Sequence, residues 1–211
     1  MKKFDLIILI ALALCCLSFF YTYTQYYELG LCLYLFVVAM VYFDNINVRH
    51  ICALLLIYKL SIYSLMNFYL IDAVEPLENV WGNVILFSIQ LTALAALTLI
   101  MFFRPILSRM LHKRFSPEDD TKIAAGFGEI FIVSGYALLT LVMLLTFVEN
   151  IIRNLEYIGF SNEIAQPFWN WTFFYDNLEP IFHSGEILIG VVILFLALVN
   201  PDEVQENLAT E

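Results

Sequence analysis

Phe103–Lys122, FRPILSRMLHKRFSPEDDTK, lies between two long apolar runs and carries five of the ten Lys and Arg residues of the chain. In a bilayer protein, sidedness follows the Lys and Arg of short loops near the membrane, which stay in the cytoplasm. Arg104, Arg109, Lys113, Arg114 and Lys122 therefore place this stretch inside, and every other segment takes its orientation from it.

The composition supports a bilayer reading. Of 211 residues, 62% are hydrophobic and only 14% charged, where soluble domains are about one quarter charged. The expected fold is an all-α integral membrane protein: one polytopic bundle over 1–200 and an acidic cytoplasmic tail over 201–211. The net charge of -10 weighs against nucleic acid as a direct partner. Cys15, Cys16, Cys32 and Cys52 fall inside apolar runs without metal-type spacing, so they read as small buried hydrophobes. Lys2 and Lys3 precede an apolar run with no small-residue cleavage site, which reads as a retained helix.

A hydrocarbon core of about 30 Å takes roughly 20 apolar residues per helix. About six such segments are expected: Phe4 to Tyr23, Tyr26 to Phe43, His50 to Ile71, Val80 to Phe103, Pro117 to Val148 and Ile181 to Val199. The second is the shortest, leaning on Tyr26 and Tyr27 at the interface. Alternation puts Lys2, Lys3 and Arg49 inside with the basic stretch and leaves Arg153 as the one basic residue of an outer loop. Outer loops are acidic, with Glu28, Asp72, Glu75, Glu78, Glu149, Glu156, Glu163, Asp176 and Glu179. Both termini are thus expected in the cytoplasm, in a bacterial inner membrane.

Within the basic stretch, Pro105 suits the first turn of a new helix, with Ile106, Leu107, Met110 and Leu111 on one face and Arg109, His112 and Lys113 on another. The expectation is a short amphipathic helix on the inner leaflet. Ser116-Pro117-Glu118-Asp119 then marks the start of the fifth helix, about two turns below the membrane. Further on, Trp169, Trp171, Phe173, Phe174 and Tyr175 suit an aromatic segment bedded in the outer interface.

An ionisable residue at membrane depth costs several kcal/mol unless it has a partner. Lys59 on the third segment and Glu129 on the fifth are expected to pair, with Gln90, Tyr63 and Tyr136 completing an intramembrane polar cluster. The ordinary reading of such a cluster is a structural seam between helices; the functional one is a solute path or proton-linked site. His183 and Glu186, three apart, are the weak candidate for a metal. With three histidines in the chain, no metal and no cofactor is expected. Ser134-Gly135 and Ser184-Gly185 lack a histidine placed to activate the serine, and Ala124 with Gly128 forms one small-xxx-small pair that would permit a homo-oligomer.

Three function classes follow. The first is a non-enzymatic multi-pass subunit or scaffold. It would anchor or signal to a cytosolic protein partner through Arg104, Arg109, Lys113, Arg114 and Lys122, as in bacterial two-component modules such as those defending against phage. The alternative is a small transporter or channel using the Lys59, Gln90 and Glu129 seam. An intramembrane enzyme ranks third.

Overall fold

The computed structural model describes residues 24–115 and 127–198, which are helical and contain no strand. Its long helices are α1 (Thr24–Val41), α2 (Ile46–Leu65), α3 (Asn79–Phe115), α4 (Phe127–Arg153) and α5 (Phe173–Leu198). α2 runs on through a π-helical turn, Met66–Leu70, into a last helical turn, Ile71–Val74. Four stretches are long and apolar enough to cross a membrane: Ile46–Val74, Asn79–Leu111, Gly128–Arg153 and Asn162–Leu198. α1 is a shorter apolar helix. The architecture is compatible with a multi-pass membrane protein. Of the six expected segments, Phe4 to Tyr23 lies outside the described residues, as do the start at Pro117, Lys122 and the acidic tail.

The helices close into a ring. α1 packs on α2 and α5, α3 on α2 and α4, and α4 on α5. One end of the ring holds the α2–α3 turn and the α4–α5 connection, with Asp72, Glu75, Glu78, Asp176 and Glu179; it is the acidic end. The opposite, basic end holds the α1–α2 turn, Arg49 and the C-terminal part of α3. There, the Asn45 side chain accepts from the Val48 amide at 3.2 Å and caps α2, and Arg49 donates to the Phe43 carbonyl at 3.1 Å, closing the turn.

Two boundaries differ from the expected ones. α3 does not stop at Pro105 but continues to Phe115, so the separate inner-leaflet helix is instead the end of one rod. A proline removes a single backbone donor, a loss that membrane helices tolerate when neighbours hold the chain. Arg104, one residue earlier, is bound by Glu129 of α4 and by Asn47 of α2. α5 begins at Phe173, eight residues before Ile181, and runs through Pro180. The amides of a helix N-terminus need acceptors, and Glu149 of α4 supplies them: its carboxylate accepts from Phe174 N at 3.0 Å and Tyr175 N at 2.8 Å. Half of the supposed interfacial segment is therefore helix, while Trp169 and Trp171 stay exposed.

α4 and α5 approach closely because glycines line their contact. A Cβ on Gly128 would lie 2.5 Å from Leu196, one on Gly185 2.8 Å from Leu139, and one on Gly135 3.0 Å from Ile189. Gly128 thus serves packing within the chain, and Ala124, the other member of the small-residue pair, lies outside the described residues.

Candidate functional site

A cavity of about 650 Å³ opens among α2, α3 and α5 toward the acidic end. Its floor is charged. Lys59 sits at mid-length of its span, about 20 Å from Ile46 and about 22 Å from Val74 at 1.5 Å per residue. Its Nζ lies 3.0 Å from both carboxylate oxygens of Glu28 on α1 and 2.5 Å from Glu186 on α5. The other Glu186 oxygen accepts from the Tyr27 hydroxyl at 3.3 Å, and that hydroxyl also donates to the His183 carbonyl at 3.1 Å. The Tyr27 and His183 rings stack at 3.8 Å. Three helices therefore meet on one ammonium. In their charged forms, two carboxylates against one lysine leave an excess negative charge.

The floor exists because of where two helices begin. α1 and α2 are antiparallel across a short turn, so Glu28, one turn into α1, lies level with Lys59. α5 starts at Phe173, which puts Glu186 about 20 Å inside its helix. Tyrosine hydroxyls hold α1 to α5: besides Tyr27, Tyr34 donates to the Gly190 carbonyl at 2.7 Å. Where lipid removes the hydrophobic drive between helices, such bonds and close packing do the joining.

The walls carry polar and aromatic groups. Tyr63, Asn67, Asn83 and Gln90 line the cavity with Tyr58, Phe87, Tyr175 and Phe182, and Asp176 and Glu179 stand at its mouth. The π-helical turn of α2 faces it: Asn67 Nδ2 donates to the Tyr63 carbonyl at 2.9 Å, and Gln90 Nε2 reaches Met66 Sδ at 3.9 Å. Such turns interrupt regular helices and are frequent at functional sites.

Among the described residues, the bundle is closely packed toward the basic end. Beneath the floor is a crevice of about 10 Å³ shared by Tyr136, Glu186 and apolar side chains, no larger than one water needs. Below it Leu35, Ile51, Leu55, Ile132 and Ile193 are almost fully buried. About 18 Å from Lys59 along α2, the Arg104 guanidinium pairs with Glu129 and donates to Asn47 at 3.1 Å, clamping α2, α3 and α4 together.

The expected cluster is thus divided. Lys59, Gln90 and Tyr63 line one cavity and Tyr136 lies in the crevice beneath its floor, but Glu129 pairs with Arg104 instead of Lys59, because it stands in the first turn of α4 at the other end. Arg104, 2% exposed, is consumed by that pair and leaves the set of partner-binding residues, whereas Arg109 and Lys113 remain exposed on the end of α3. Of Arg114, only its place in the helix is described. Tyr27 is buried at 0% exposure and is no interface anchor. Glu186 is engaged by Lys59 and Tyr27, and among the described residues no group of three His, Cys, Asp or Glu side chains comes together around it and His183. Glu28 and Glu186 were hidden in the sequence because both look like loop-edge acids until the true helix starts are known. The signal available was Glu28 ahead of an apolar run with no break between them.

Compared with known proteins, the chain matches no family model, no curated protein and no solved structure. Fold and site therefore define only a class: an all-helical bundle, compatible with a membrane, around a one-ended charged cavity.

Proposed function

We propose that the protein is a small membrane transporter whose solute enters the cavity from the acidic end and meets the Glu28–Lys59–Glu186 triad at mid-membrane. The observation that carries this reading is the asymmetry of the bundle. A cavity of about 650 Å³ reaches a buried charged triad from one end, and apolar packing with the Arg104–Glu129 clamp closes the other. Intramembrane charges that face a cavity mark substrate paths. By the distribution of Lys and Arg, the acidic end faces outward and the basic end the cytoplasm. The chemistry required is binding and release, with no covalent step.

The test uses Lys59→Met in proteoliposomes. The expected outcome is loss of solute-driven flux with the protein still inserted and monodisperse; unchanged flux overturns the reading. A second reading draws support from α3, whose 37 residues span about 55 Å and carry exposed Arg109 and Lys113 beyond the bundle. On it, the rod docks a cytosolic protein, and Arg109→Glu with Lys113→Glu releases that protein from the purified complex while transport variants leave it bound.

A further inference from the structure

We infer that the cavity takes a protonated organic amine, which binds Glu28 in competition with the Lys59 ammonium. The inference rests on the transporter reading and names the chemistry of its solute. Four carboxylates, Glu28, Asp176, Glu179 and Glu186, line the cavity with Lys59, and the Arg153 guanidinium stands over the ring of Tyr175 at its wall, so carboxylates outnumber the nearby cations. Low-dielectric walls focus such an excess and concentrate cations. An anion would meet Lys59 already neutralised twice over.

The two floor carboxylates are not equivalent. The Glu186 side chain is 3% exposed and held by both Lys59 and Tyr27, while that of Glu28 is 24% exposed and partly faces the cavity. Glu28 is therefore the one able to exchange partners, and Lys59 keeps a counter-charge when it does. Aromatic faces suit an ammonium head, and Tyr58, Tyr63 and Phe87 line the cavity, while the Tyr175 ring already carries the Arg153 guanidinium at 4.6 Å. Size points the same way: about 650 Å³ falls in the range that buries a whole organic molecule. A bare metal ion would need several oxygen ligands drawn together, and no group of three candidate ligands converges among the described residues.

The full chain in lipid nanodiscs is titrated calorimetrically with phenethylammonium, phenethyl alcohol and phenylacetate, which share a shape and differ in charge. Saturable binding of the ammonium, at least about tenfold tighter than the alcohol, is expected, with Glu28→Gln weakening it by a similar factor. A second measurement covers a poorly folded Glu28→Gln: n-propylammonium, the fragment removed by Lys59→Ala, raises the melting temperature of that variant more than that of the wild type. Equal affinity for the alcohol, or preference for phenylacetate, overturns the amine assignment and leaves the solute-binding reading standing. No binding of any probe to monodisperse protein overturns both.

Discussion

Lys59 is held at mid-length of its helix by two carboxylates, and each makes a different contribution. Removing one partner of a buried pair costs about 3–5 kcal/mol, since an uncompensated charge is left behind. Glu186→Gln is expected to destabilise by about that amount. Glu28→Gln costs less, because its side chain keeps 24% exposure. Thermal denaturation of the two variants in detergent gives the order, and the reverse order would place the stronger anchor on α1. Arg104 and Glu129 obey the same rule at the basic end. Arg104→Met alone strands Glu129 and destabilises by about 3 kcal/mol, whereas Arg104→Met with Glu129→Leu recovers most of the loss, since apolar replacement of a whole buried pair is close to neutral. A double-mutant cycle reads the coupling directly. At this scale the sequence disclosed that Lys59 and Glu129 needed partners. Which partners they have depended on depth along each helix, and residue spacing carries no depth until the helix starts are fixed.

At the scale of elements, starts and contacts matter more than hydropathy. α5 begins at Phe173 because Glu149 satisfies two of its first amides. Glu149→Ala removes that cap at a cost of about 1–2 kcal/mol, and hydrogen exchange at Phe174 and Tyr175 is expected to speed up while Ile193 is unaffected. Because α5 carries Glu186 and His183, fraying of its first turns also loosens the cavity mouth. The α4–α5 contact has its own prediction. Gly185→Val drives a branched side chain into Leu139, already 2.8 Å from a bare Cβ, and overpacking of this kind costs about 1–3 kcal/mol; Gly159→Ala meets no neighbour but is strained by its φ of 100°. A melting curve separates the two only in degree, whereas a distance measured by paired spin labels between α4 and α5 shifts for Gly185→Val alone. Hydropathy located each long described helix, but α3 runs twelve residues past Phe103 and α5 begins eight before Ile181, so both helices continue through a proline, Pro105 and Pro180. In water a proline inside a helix is a strong stop signal; in a packed apolar bundle the neighbours hold the helix through it.

For the whole molecule, the asymmetry between the two ends makes the strongest prediction. In a cysteine-free background, Asn83→Cys at the cavity wall is expected to react with a membrane-impermeant maleimide added from one side only. Ile193→Cys, in the packed half at 1% exposure, reacts from neither. Reaction of Ile193→Cys from the opposite side would reveal a population open at the basic end, and breaking the Arg104–Glu129 clamp is expected to increase it. A triad buried from both sides, with Asn83→Cys unreactive, would make the charged floor a purely structural knot.

By itself the sequence determined the material of this protein: long apolar runs, four of which are long enough to cross a membrane among the described residues, and a basic stretch set against acidic ones. These are additive properties, summed along the chain within windows of about 20 residues, and they survive any rearrangement of the helices. The tertiary structure alone decided that Glu28, Lys59 and Glu186 meet, that Arg104 turns inward to Glu129, and that a cavity opens at one end. Each of those facts depends on the relative height and rotation of helices distant in sequence. A shift of one turn, about 5.4 Å, would separate the charges while leaving the composition and hydropathy of the chain unchanged.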